Sequence, residues 1–415
     1  MRSSKCIGQL VYRLRRAWSL FTVLGVWGFL RFLIRRLIYG RGNFGQIDLF
    51  NHYAFLDFYA PSGKEGWQKA QKESISENSM LWVIPSFELG SGGHLNIFRM
   101  VRNLELLGYH CQICIVGETR FASGTEARRV ICTHFLPLKA DVVIGVESAS
   151  PAEFAFATSW VTAYTVRALP QVSQRLYFIQ DFEPWFYPMG SEYVFAEQTY
   201  RFNFVAIAAG DWLGKLAADY GMRVHVFRFS YDKDRYRPLP RRPGPRRVFF
   251  YARSVTPRRG FELGMLALKK IHERLPDVQF VLAGWDTSAY RIPFPALNAG
   301  VVPLNELADL YSQCDCALVI SLTNLSLLPL EIMACGCPVV SNRGPNVEWL
   351  LRDGENALLA DPTPESLAQT VIRVLEDNRL RQRLREGGLA SATATDWMAE
   401  AVKIDAFLKG LRSGV

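Results

Sequence analysis

Three groups of side chains in this sequence have types and spacings suited to an anionic, hydroxyl-rich ligand. Arg253, Arg258 and Arg259 fall in YARSVTPRRG, where an apolar strand gives way to a basic loop and Gly260 opens a helix. Guanidinium forks beside free helix N–H groups make a strong oxyanion site; solvated surface arginines are the plain alternative. Asp181 and Glu183 stand in QDFEPWFYP beside Phe182, Trp185, Phe186 and Tyr187, after a strand ending at Gln180. Carboxylates accept hydroxyl hydrogen bonds and rings stack on the apolar face of a sugar; a buried aromatic cluster with capping acids fits the same residues. Glu331 is the only carboxylate from Ile320 to Gly344, between two strand-to-helix loops. A fourth feature, Gly90, Gly92 and Gly93 in ELGSGGH, lets backbone approach an anion at a helix start.

The elements that must carry these residues alternate strand and helix from Met80 onward. MLWVIPSF, HCQICIVG, ADVVIGVES (Ala140 to Ser148), RLYFIQ and FVAIAAG read as buried parallel strands by their continuous apolar runs. A breaker-rich stretch, PLPRRPGP from Pro238 to Pro245, ends this half. RVFFYARS, VQFVLAGWD, ALNAGVV, DCALVIS and NALLA supply a second set of strands, followed by one long helix, ESLAQTVIRVLEDNRLRQRLREGG. The expected fold class is α/β, with a parallel sheet in each half. The expected divisions are 1–45, a basic amphipathic segment; 46–240, a first α/β domain; 241–395, a second; and 396–415, a terminal helix.

The chain has 415 residues and a net charge of +9, from 48 Lys and Arg against 39 Asp and Glu. That length fits two domains of about 150 to 200 residues. The positive charge gathers before residue 42 and from Arg241 to Arg259 rather than along one face, which favours a membrane surface and a phosphate ligand over nucleic acid. Arg13, Arg16, Arg31 and Arg35 share about 100° of a helical wheel, opposite a surface rich in Trp, Phe and Leu. The uncharged run between Arg16 and Arg31 is short for a bilayer core of ~30 Å. A helix lying in an anionic membrane interface is therefore expected, peripheral on the cytoplasmic face, with packing on the protein's own surface as the alternative. The eight cysteines lack zinc-finger spacing, so no metal is expected and the thiols read as reduced and buried.

YARSVTPRRG, LLPLEIMACGCPVV, RGPNVEWLLRDGENALLA and YDKDRYRP, taken in order, resemble glycosyltransferase family 4, whose members have the GT-B fold and use nucleotide-sugar donors. The resemblance places Arg253 at the family's arginine and Arg259 where it has a lysine. Many relatives have an acid eight positions before the equivalent of Glu331; Thr323 stands there. YFIQDFEPWFYPMGSEYVFAEQTYRF is similar to the rhamnosyltransferase branch that builds surface polysaccharides and S-layer glycans.

The resemblance implies two Rossmann-like domains facing across a cleft, 46–240 on the acceptor side and 241–395 binding the nucleotide-sugar, with 396–415 crossing back to the first, and metal-independent, retaining transfer of a hexose. The implied donor is dTDP-L-rhamnose and the acceptor a lipid-linked or polysaccharide glycan, with no further cofactor. It implies Arg253 and Arg259 on the leaving diphosphate, Glu331 on the ribose and Gly92 and Gly93 closing on phosphates and sugar. Asp181, with Glu183 second, is the catalytic or acceptor-orienting carboxylate. A UDP- or GDP-sugar donor, and a nucleotide-sugar-binding protein without activity, are the competing readings.

Overall fold

The computed structural model of the chain describes residues 49–56 and 75–412. Met1–Phe55 and Leu56–Val415 are separate compact units. Of the first, the described part includes the one-turn helix Leu49–His52. The expected basic amphipathic segment, 1–45, lies outside the described residues.

Two parallel sheets make up the second unit. The first has β1 (Ser79–Pro85), β2 (His110–Val116), β3 (Asp141–Ile144), β4 (Ala152–Ala157), β5 (Val172–Ile179), β6 (Val205–Ala209) and β7 (Val224–Phe227), ordered β3-β2-β1-β4-β5-β6-β7. The second has β8 (Arg247–Tyr251), β9 (Gln279–Ala283), β10 (Ala296–Gly300), β11 (Cys316–Val319), β12 (Val339–Asn342) and β13 (Ala357–Ala360), ordered β10-β9-β8-β11-β12-β13. Helices cover such sheets on both faces, so central strands are apolar: Met80 to Ile84 of β1 are all buried. Strand order reverses between β1 and β4 and again between β8 and β11, and ligands of open α/β sheets bind at such switch points.

Several elements differ from the expectation. The strand expected over Ala140 to Ser148 stops at Ile144, because Gly145 turns the chain at φ 81° into a short turn. An unexpected strand, β4, AEFAFA, lies between β1 and β5; its small alanines gave no strong apolar run. The helix after β1, α1 (Gly92–Leu106), starts earlier than expected, so Gly92 and Gly93 form its first turn rather than a loop. The single long helix is two, Pro364–Glu376 and Asn378–Thr393. Asp377 breaks it by adopting extended geometry and accepting the Arg379 and Leu380 N–H groups, as an N-cap does.

Residues 228–246 join the sheets, and Arg241 in this linker makes a two-bond pair with Asp315 at 2.7 and 2.5 Å. The terminal helix, Trp397–Arg412, returns to the first sheet's side. There it packs on α1 and β7, Asp405 accepts the Tyr109 hydroxyl at 2.9 Å, and Arg412 pairs with Glu153.

The loop after β11 plugs into the carboxyl ends of β5 and β6. Asn324, buried, donates from Nδ2 to the Gln180 and Ala209 carbonyls, each at 3.0 Å, and its Oδ1 accepts the Trp349 indole N–H. Trp349 lies so close to Gly210 that a Cβ there would stand 2.5 Å from the ring. Replacing Asn324 with Ala orphans two buried carbonyls. The expected cost is about 2–4 kcal/mol in urea unfolding, and a loss below about 1 kcal/mol would show that water or relaxation takes over both acceptors.

Candidate functional site

The loop after β8 begins just past Tyr251 and ends in a single 3-10 turn, Pro257–Arg259. Gly260 follows in left-handed geometry, φ 58°, and caps the helix Phe261–Arg274; a Cβ there would also meet Ile320 at 2.7 Å. Both constraints demand glycine. The turn points its arginines in different directions. Arg259 donates to Ser321 Oγ and, at 3.3 Å, to the Asn324 carbonyl, so it is tied to the loop after β11. Arg253 bonds Thr256 Oγ1 at 3.0 Å and stands 5.7 Å over Trp285. Arg258 reaches the other domain: its guanidinium is 3.8 Å from the Phe186 ring centre, and its Nε is 3.6 Å from Asp181 Oδ2. That Nε–H is buried without a hydrogen-bond partner among the described residues.

Asp181 follows β5 directly, and its carboxylate meets the second domain. Oδ1 accepts the Asn324 N–H at 2.8 Å and the Phe182 N–H at 2.9 Å; Oδ2 accepts the Thr323 hydroxyl at 2.7 Å. Burial pushes its pKa above the ordinary 3.8, opposed by Arg259, the Asn324 N–H, Thr323 and Arg258. Burial pushes the pKa of Arg258 and Arg259 down, with Asp181 acting against this in both. Gln180, next door, donates to the Gly93 carbonyl at 3.0 Å and accepts from Asn96 at 3.0 Å, which fixes the start of α1 beside Asp181. A Cβ on Gly92 would meet nothing within 4 Å, so this first turn faces open space.

The other two carboxylates lie apart from the arginine loop's contacts. Glu183, two residues from Asp181, accepts the Trp160 N–H and, at 3.2 Å, the Tyr177 hydroxyl. It therefore satisfies the open end of the helix Trp160–Ala168, the capping role weighed in the sequence, and burial raises its pKa to about 7. Glu331 sits in the helix Leu328–Ala334, hydrogen-bonded to Tyr236 and near Arg99, Arg235 and Asp232. Burial pushes it up to about 7 against the pull of Arg99 and Tyr236.

Asp181, Arg258, Arg259 and the Gly92–Gly93 turn thus converge, through Gln180, Thr323 and Asn324, and Arg253 belongs to the same loop. The cross-domain roles of Gln180, Thr323 and Asn324 went unread; for the last two the signal is the polar Thr-Asn pair inside an otherwise largely apolar stretch. Among the described residues no cluster of three or more His, Cys, Asp or Glu could hold a metal, and Asp232 of the DKD run pairs with Arg235 at 3.5 Å. The described cysteines are free thiols; Cys6 lies outside the described residues.

Residues 246–372 match the WsaF C-terminal domain family and residues 148–209 the WsaF N-terminal domain family. The chain is 35% identical over 346 residues to the O-antigen biosynthesis protein RfbC of Myxococcus xanthus, covering 80% of this chain and 26% of that protein. It is 30% identical over 174 residues to the phosphatidyl-myo-inositol mannosyltransferase of Mycobacterium tuberculosis, covering 38% of this chain and 45% of that one. The chain thus spans about a quarter and under half of these relatives' lengths. Among solved structures, sucrose-phosphate synthase from Thermosynechococcus elongatus superposes with TM-score 0.62 at 14% identity, over 81% of this chain and 100% of that one. Anabaena HepE, solved in complex with UDP-glucose, gives 0.58 at 16% identity, over 80% and 99%. The architecture, two Rossmann-like domains on parallel sheets, is the GT-B fold of glycosyltransferases.

Proposed function

We propose that the chain is a metal-independent glycosyltransferase of surface-glycan assembly, moving a hexose from a nucleotide-sugar donor to a lipid-linked or polysaccharide acceptor. The observation that carries this reading is the arginine loop at the switch point of the second sheet, closed against Asp181 of the first domain. The names of the similar proteins, an O-antigen biosynthesis protein and a mannosyltransferase, support it. L-rhamnose from dTDP-L-rhamnose is the donor we favour, on the motif resemblance; UDP- and GDP-sugars compete with it.

In this reaction the bond from the anomeric carbon to the diphosphate oxygen breaks, and its electron pair leaves with the phosphate. Arg253 and Arg259 supply positive charge where that negative charge develops, and the open first turn of α1 adds backbone N–H groups. The acceptor hydroxyl forms the new bond and gives up its proton. In our reading Asp181 orients that hydroxyl, which requires it to exchange a bond to Thr323 or Asn324 for the acceptor. Departure and attack on one face of the sugar would retain the anomeric configuration, with the leaving phosphate taking the proton. Glu331 takes the ribose diol by giving up its Tyr236 bond, and only its ionised form accepts two such bonds.

Among the described residues no helix is long and apolar enough to cross a membrane. We place the protein at the cytoplasmic membrane surface through residues 1–45, on their basic amphipathic sequence.

Thermal-shift screening with dTDP, UDP and GDP, followed by donor hydrolysis and transfer assays, tests the reading; tight nucleotide binding without hydrolysis or transfer would overturn it. Arg253→Ala is expected to lower kcat by about 10²–10³-fold with folding intact, and near-normal turnover would remove the phosphate role. Donor affinity is expected to rise with pH through about 7 as Glu331 ionises, and Glu331→Gln to flatten that profile; a pH-independent wild type would discard the ribose assignment. Deleting residues 1–40 is expected to abolish pelleting with anionic vesicles, and unchanged pelleting would sink the membrane assignment.

A further inference from the structure

Between α1, the linker and the start of the terminal helix lies a cavity of about 230 Å³ that the donor reading does not use. Arg99 and Arg102 line it from α1 and Lys233 and Arg235 from the linker, with Leu95 and Phe135 forming an apolar wall. None of Arg253, Arg258 or Arg259 lines it. Asp232 is its one lining carboxylate, 3.5 Å from Arg235. Lys233 stands 3.7 Å from Asp396, and Arg99 feels Glu331 and Asp232. Arg102 is exposed and has no carboxylate partner among the described residues. The four cations therefore face three acids, Asp232, Asp396 and Glu331. The two ion pairs, at 3.5 and 3.7 Å, are too long to be hydrogen bonds; Lys233 gives one N–H to the Thr393 carbonyl at 3.4 Å and Arg99 one to Asn96 Oδ1 at 3.3 Å, and each keeps further donors. Trp397, another lining residue, has its indole N–H buried without an acceptor, and Arg99 lies 5.6 Å over its ring.

We propose that this cavity binds a phosphate or diphosphate group. Its volume falls below the roughly 300–1,000 Å³ of sites that take whole small molecules, so a headgroup fits and a complete donor does not. A multiply charged anion satisfies the surplus cation and the spare N–H donors together, as charge-assisted bonds of the strongest kind. The apolar wall receives the first carbons of whatever the phosphate is attached to. Its lining comes from four separate segments, α1, the turn at Phe135 and Leu136, the linker and the terminal helix, so a bound anion ties them together at the point where the chain passes between the domains.

The test is calorimetric titration of the full-length chain with pyrophosphate at low ionic strength. In the variant Arg253→Ala, the site is expected to persist. In Arg102→Glu/Lys233→Glu, with fold checked by circular dichroism, affinity at this site is expected to fall about tenfold or more. The milder Arg102→Gln/Lys233→Gln pair is expected to give a smaller loss in the same direction. A single binding event abolished by Arg253→Ala and untouched by both double variants would overturn the proposal. Soluble short-chain phosphatidic acid and inorganic phosphate then separate the sources: tighter binding of the first supports a lipid-borne phosphate, and of the second a free anion.

Discussion

The buried contact between Asp181 and the Thr323–Asn324 backbone and side chains is the constraint on which the rest of the site depends. Parallel strands end in carbonyls that the next strand no longer pairs, and those of Gln180 and Ala209 point at the buried Asn324 side chain. Only an amide side chain can donate to two such carbonyls while accepting from Trp349, and Asn324 does so. The same loop holds Arg259 through Ser321 and the Asn324 carbonyl. One polar segment therefore fixes how the domains meet and where the arginine loop points.

The electrostatics of that junction are unbalanced in a useful way. Asp181 is one buried carboxylate facing two guanidinium groups, and the nearer, Arg258, approaches only to 3.6 Å. At an effective dielectric of 20 a unit pair at about 4 Å is worth about 4 kcal/mol before desolvation; Glu183 also acts on Arg258 and Arg253 adds a third guanidinium, so two carboxylates face three arginines. Burial pushes both guanidinium pKa values down, and the neighbouring arginines add to it, Arg259 and Arg253 on Arg258 and Arg253 on Arg259. An arriving polyanion is favoured here, whereas an added cation is not. Arg258 also lies on Phe186, so the aromatic loop of the first domain is stacked against the charged loop of the second.

Much of the fold was legible in the sequence, because buried parallel strands write themselves as unbroken apolar runs and breakers mark the linker. β4 escaped because AEFAFA splits its bulk between phenylalanine and alanine. The split at Asp377 escaped because a single N-capping aspartate looks like any polar residue on a helix face. The site was legible in part: the arginine loop announces itself by local spacing. The Thr323 to Asp181 bond joins residues 142 apart in sequence, and periodicity carries no trace of such a pairing. Thr323 read as a missing acid; in the folded chain its hydroxyl instead grips the carboxylate of the opposite wall.

Asp181 and Glu183 show why composition alone does not assign a role. Both are acids in one aromatic loop, and burial raises the pKa of both. Glu183 turns inward and closes a helix end of its own domain, whereas Asp181 turns outward and is bonded by the other domain. From Asp181 a run of polar contacts continues along one face of α1. The Gln180 side chain bonds Gly93 and Asn96, Arg99 reaches Asn96 Oδ1 at 3.3 Å, and Arg99 acts on Glu331. Residues 93, 96 and 99 stand three apart on α1, so a single rigid element links the two carboxylates of opposite domains. Any displacement of α1 that widened the space at Gly92 would have to move Gln180 and Arg99 with it, coupling the surroundings of Asp181 to those of Glu331.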